Sequence, residues 1–110
     1  MADQALGEFE QIVLLAILRL DERAYGATIR EEIAAKTGRD PSPGALYTTL
    51  ARLEEKGLLQ SRLGEPTRDR GGRAKRFVKV TAEGIDAISR AQRAYRNLLH
   101  GVPLPGLSHG

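Results

Sequence analysis

Cysteine and tryptophan are missing from this chain of 110 residues, and histidine occurs only twice. Without cysteine there is no disulfide scaffold, no thiolate zinc site and no thiol nucleophile. His100 and His109 lie at or beyond the end of the last expected helix, so no imidazole is placed for base catalysis or for a buried metal. No apolar run reaches the roughly 18 residues that a membrane-spanning helix needs. The start Met1-Ala2-Asp3-Gln4 also lacks the basic and apolar parts of a signal peptide, so a cytoplasmic protein away from the membrane is expected. The stretch Gly71-Gly72-Arg73-Ala74-Lys75 lacks the spacing of a phosphate loop and feeds a strand where that loop feeds a helix. Glu8, Glu10, Glu31, Glu32, Glu54 and Glu55 are expected on outer helix faces as solvated charges, unpaired for catalysis. No enzyme activity, cofactor or metal is expected.

Charge is scarce in sum and concentrated in place. Lysine and arginine outnumber the acids by 17 to 14, a net charge of +3. Between Arg62 and Lys79, however, stand Arg62, Arg68, Arg70, Arg73, Lys75, Arg76 and Lys79 against only Glu65 and Asp69. The positive field is therefore local, which matters more for a polyanionic partner than the total does.

The firmest element is the stretch from Ser42 to Gly57. Ser42 suits the N-cap, Pro43 the first helical position, and Lys56 with Gly57 the C-terminal stop. Leu46, Leu50 and Leu53 share one side with Thr49, leaving Gly44, Tyr47, Thr48, Ala51, Arg52 and Glu55 outward. Small residues at the N-terminal half of that outer face leave room for close approach, as a DNA major groove requires. Upstream, a helix is expected from about Leu6 to Leu20 with Phe9, Ile12, Val13, Ala16, Ile17 and Leu20 facing a core. Leu14, Leu15 and Leu18 form a surplus apolar face that hints at dimerisation. A second helix is expected from about Gly26 to Thr37, with Ile29 and Ile33 inward and Gly38 as its stop. Two helices joined by a tight turn resemble a helix-turn-helix, a pattern that any helical bundle can also contain.

Leu58–Leu63 and Arg76–Val80 read as the strands of a hairpin whose connection is rich in glycine and arginine. Thr81 suits the cap of a final helix from Ala82 to Leu99, where Ile85, Ile88, Gln92, Tyr95 and Leu99 repeat as a coiled-coil seam. Leu98 and Ala91 widen that seam. The fold class is thus mainly α with a small β-hairpin: a winged helix-turn-helix over 5–80, a dimerisation helix over 81–100, and a Pro/Gly-rich tail over 101–110 expected to fray.

For double-stranded DNA the side chains divide by task. Tyr47, Thr48 and Arg52 are candidates for base edges, with Arg52 able to donate twice to a guanine. Ser42 and Gly44 sit where helix-end amides can hold a phosphate. Arg68, Arg70, Arg73, Lys75 and Arg76 are wing candidates for phosphate or the minor groove. Leu14, Leu18, Ile85, Ile88, Gln92, Tyr95 and Leu99 are the dimerisation candidates. A winged-helix protein-interaction module remains an alternative, although Tyr47 is nearly alone as an aromatic anchor. A small-molecule-sensing dimer with secondary DNA affinity is the other.

The chain also resembles a known family. Leu6-Gly7-Glu8-Phe9-Glu10, Ala24-Tyr25-Gly26, Gly44-Ala45-Leu46-Tyr47 through Leu50, Arg52-Leu53-Glu54, Gly57-Leu58, and Gly71-Gly72-Arg73-Ala74-Lys75-Arg76 leading to Thr81 and Gly84 are similar to the PadR family of transcriptional regulators. The resemblance covers about residues 5 to 90. It implies a homodimeric winged-helix repressor with its third helix in the major groove, its wing on the flanking backbone and a C-terminal helix for dimerisation. A single helix after the wing is similar to the short subgroup. Some relatives hold planar aromatic drugs with a tryptophan that this chain lacks, which leaves open a small-molecule effector of unknown identity.

Overall fold

The structure, a computed structural model, describes residues 5–64 and 74–106. Helix α1 (Glu8–Leu20) is followed by a 3-10 turn (Asp21–Arg23), α2 (Gly26–Thr37), α3 (Pro43–Glu55), strands β1 (Leu59–Leu63) and β2 (Arg76–Val80), and α4 (Ala82–Leu99). The mainly helical class with one small hairpin is as expected.

Local chemistry sets each boundary. Gly7 caps α1, and the Glu10 carboxylate reaches back to accept the Gly7 N–H at 2.8 Å, so the helix begins at Glu8, later than the expected Leu6. Its far end is cut by Asp21 at φ 56° and ψ −117°, a conformation that side chains disfavour. Thr28 Oγ1 accepts the Tyr25 N–H at 3.0 Å at the start of α2, and Gly38 at φ 76° stops that helix. Ser42 Oγ accepts the Ala45 N–H at 3.0 Å as the sequence predicts. At the other end of α3, Gly57 N–H bonds Glu54 O at 2.9 Å and Leu58 N–H bonds Leu53 O at 2.9 Å, with Gly57 at φ 81°. That paired closure is a Schellman motif. It occupies the Leu58 N–H, which is why the first strand begins at Leu59 and not at Leu58.

The strands pair antiparallel in the register Leu59↔Val80 to Leu63↔Arg76. Tyr25 adds an isolated bridge to Phe77, and Val78 N–H donates to Ala24 O at 3.0 Å, which anchors the hairpin to the turn before α2. Thr81 then caps α4 by accepting the Gly84 N–H at 3.1 Å while its hydroxyl donates to Gly57 O at 2.7 Å. The end of α3 and the start of α4 are therefore one junction.

Helix α1 is the hub: α2, α3, β2 and α4 all pack on it. Val13, Leu14, Ala16, Ile17 and Leu20 bury against Ile29 and Ile33 of α2, Leu46, Leu50 and Leu53 of α3, Leu59, Val78 and Val80 of the hairpin, and Ile88 of α4. Two expectations need correction. Leu14, assigned to the surplus face, is completely buried within the chain and offers no surface to a partner, whereas Leu15 and Leu18 remain 39% and 40% exposed. Glu10, expected as a solvated charge, is buried and pairs with Lys56 Nζ at 2.9 Å.

The seam of α4 is also divided. Ile88 belongs to the chain's own core, and Gln92 Nε2 donates to Gln11 Oε1 of α1 at 3.2 Å. Beyond Gln92, Tyr95 is about half exposed, Leu98 is 77% exposed and Leu99 is half-buried; Ile85 near the helix start is also exposed. Among the described residues, no helix is long and apolar enough to cross a membrane. His100 closes α4 through its N–H to Arg96 O at 3.0 Å, and His109 lies outside the described residues.

Candidate nucleic-acid interface

The outward side of α3 is built from what does not reach the core. With Leu46, Thr49, Leu50 and Leu53 buried, Gly44, Thr48, Ala51 and Glu55 point directly away from the domain and are exposed. A Cβ placed on Gly44 would have no neighbouring atom within 4 Å, so the helix start is open to an approaching backbone. Two larger side chains flank this smooth strip. Tyr47, 59% exposed, leans toward the start of α2, where a Cβ on Gly26 would lie 3.1 Å from its hydroxyl. Arg52 lies on the opposite flank and is exposed; its charge acts on the Glu10 carboxylate. Its side chain makes no ion pair or hydrogen bond among the described residues, so a surface pairing with Glu55 is not formed.

A cleft of about 550 Å³ runs between α3 and the hairpin, lined by Tyr25, Gly26, Tyr47, Ala51, Glu54, Lys75 and Arg76 among others. Lys75 Nζ sits 4.9 Å from the Tyr25 ring centroid, and Arg62 lies 4.8 Å from that of Phe77. Tyr25 and Phe77 meet edge to face at 5.3 Å. Two cations are thus held over two rings near the loop end of the two strands, where the aromatic faces attract them and leave their charge at the surface. Of the wing candidates, Lys75 and Arg76 are exposed beside α3; Arg68, Arg70 and Arg73 lie outside the described residues.

Glu10 links this face to the core. Burial pushes its carboxyl pKa up, but the Lys56 ammonium, the Gly7 N–H and the nearby Arg52 charge more than offset this and hold it below the ordinary 4.5. The pair ties the end of α3 to the start of α1, and Arg39 pairs with Glu8 at 2.9 Å close by in sequence to the α2–α3 turn. Sequence reasoning missed this pairing, as it missed the contact of Glu54 with Ser61. The first joins residues 46 apart along the chain and the second crosses the turn from α3 into β1; the one signal available was an acid at the third position of a helix after a glycine cap. Among the described residues, no group of three or more histidines and acids is arranged to hold a metal ion.

Known proteins share this architecture. Residues 14–90 match the model of the transcriptional regulator PadR-like family. The chain is 39% identical over 89 residues to transcriptional regulator Rv3488 of Mycobacterium tuberculosis, covering 81% of this chain and 78% of that protein. A PadR family transcriptional regulator from Eggerthella lenta superposes with a TM-score of 0.65 at 27% identity, over 86% of this chain and 82% of that one. A winged-helix DNA-binding protein from STIV superposes with a TM-score of 0.68 over 89% of this chain and 98% of that one; at 17% identity it speaks to fold alone.

Proposed function

The chain belongs to the PadR-like family of transcriptional regulators, and on that premise we propose that it binds double-stranded DNA sequence-specifically as a homodimer on an inverted repeat and represses by occupying that site. In this proposal two copies of α3 enter successive major grooves. Thr48 and Arg52 meet base edges, Tyr47 meets a base or phosphate, and Ser42 and Gly44 border the phosphate at the helix start. Lys75 and the wing arginines Arg68, Arg70 and Arg73 neutralise the flanking backbone.

The observation that carries the proposal is the strip of Gly44, Thr48 and Ala51, exposed and free of bulk, with cations on both flanks. A surface helix shaped only by solubility would carry long charged side chains along that whole side, where here only Glu55, at the C-terminal end, is one. Dimerisation is supported by the apolar surface that α1 and α4 leave uncovered, including a groove of about 460 Å³ lined by Leu6, Ala87, Ala91, Ala94, Tyr95 and Leu98. The same groove is the place where a small-molecule effector would compete with pairing.

Selection of bound sites from a randomised duplex library, followed by titration of the enriched site against salt, tests the proposal. An enriched two-fold repeat with half-sites about one helical turn apart, and a steep loss of affinity with salt, is expected. Salt-sensitive binding with no enriched sequence would reduce the protein to a basic surface. No binding at all would turn the same face into a protein-docking surface.

A further inference from the structure

Two of the charged residues bordering the cleft are engaged with each other through a third. Glu54, on the hairpin-side flank of α3, accepts the Ser61 hydroxyl at 3.0 Å on Oε2 and 3.3 Å on Oε1. Arg76 Nη1 donates to the same Ser61 Oγ at 3.1 Å. The register pairs Ser61 with Val78 and Leu63 with Arg76, so these four residues share one face of the hairpin, and the bond to Glu54 shows that this face is turned to α3. A hydroxyl carries a single proton, so donating to the carboxylate leaves its lone pairs for the guanidinium. One oxygen thereby connects an acid on α3 to a cation on β2.

We propose that Glu54, Ser61 and Arg76 form a strut that sets the angle between the recognition helix and the wing, and that Arg76 is a positioning residue and not a phosphate ligand. This rests on α3 and the hairpin being the DNA-binding elements. Phosphates on a duplex have fixed spacing, so a helix in the groove and a wing on the backbone act together only if their separation is held. The strut supplies that hold near the loop end of the two strands, in the cleft that Tyr25 and Lys75 also line. It also explains an acid beside a DNA face. Alone, the Glu54 carboxylate would repel an approaching phosphate; with Arg76 one hydroxyl away, its charge is balanced. Ser61 is half-buried and both charged partners are exposed, so the unit is reachable by solvent yet held by geometry.

Ser61→Ala removes the connecting oxygen without changing charge, and amide hydrogen exchange on the free protein reads the result with no DNA present. Exchange in β1 and β2 should quicken severalfold while the α1 core is unchanged. Unaltered hairpin exchange, or equal acceleration throughout the chain, would overturn the strut. On the selected DNA site, Ser61→Ala and Arg76→Ala should each lower the ratio of specific to non-specific affinity about tenfold, as expected for a lost bond to a charged group. The salt slope of Arg76→Ala should match the wild type. A slope reduced by about one with the ratio intact would make Arg76 an ordinary phosphate ligand and sink the idea. Wild-type protein that selects no site would refute the DNA-binding proposal, and the exchange result would still decide on the strut.

Discussion

A Cβ on Gly84 would lie 2.3 Å from the Leu58 carbonyl oxygen and 2.6 Å from Val80 Cγ1. One obstacle is backbone in the Schellman turn and the other is a buried strand residue, so neither yields cheaply. Gly84→Ala should therefore lose about 2–3 kcal/mol, as overpacking a tight contact does, and urea unfolding would register it. A loss within a few tenths would mean that the α3–α4 junction is looser than its contacts indicate. Arg52 is the opposite kind of residue: its exposed side chain has no hydrogen bond or ion pair among the described residues and reaches the core only through its charge, the smallest of the influences on Glu10, so it contributes little to stability. Arg52→Ala should leave unfolding unchanged and relax base preference at one position of each half-site by about 1–3 kcal/mol. Competition binding against single-base variants of the selected site measures this, and an unaltered preference would remove Arg52 from the list of readers.

Between elements, the tie of α1 to α3 is the Glu10–Lys56 pair, with side chains largely removed from water. Its pH dependence follows from the direction of the Glu10 shift. The folded carboxyl titrates below its ordinary value of 4.5, so the folded protein holds the ionised form more strongly than the unfolded chain does. That stabilisation is fully present above the unfolded value and is lost as pH falls through the lower folded one. Wild-type urea midpoints should fall as pH drops below about 4.5, and Glu10→Gln should show a smaller fall, since it carries no titrating group there. Equal acid sensitivity in both would assign the loss to other carboxylates. Lys56→Met leaves the buried carboxylate without its cation and should cost on the order of 3 kcal/mol at neutral pH.

For the whole molecule, the question is what covers the C-terminal half of α4. Leu98 is the most exposed large apolar side chain described, and Tyr95 lies a turn away on the same helix. If two copies pair there, Leu98→Glu should yield a monomer in sedimentation, with the unfolding of the single chain unaffected because no intrachain core is disturbed. Affinity for the two-fold site should then fall about a hundredfold, because the second α3 no longer binds at high effective concentration. A variant that stays dimeric would move the pairing surface to the exposed Leu15 and Leu18 side of α1.

Much of this was legible along the chain because the signals are local. Ser42, Pro43 and Gly57 bracket α3 by backbone chemistry within a few residues, and the 3.6-residue repeat of Leu46, Leu50 and Leu53 decides which side faces out. The winged-helix class followed from the order of such elements. What only the tertiary structure decided is which apolar and charged side chains find partners across the fold. Leu14 looked surplus because α1 alone does not reveal how many elements surround it; α2, α3, β2 and α4 all do, and they cover it completely. Glu10 looked solvated because a charge on a helix reads as surface until Lys56 is brought to it from 46 residues along the chain. Periodicity specifies faces, and close packing alone specifies which faces meet.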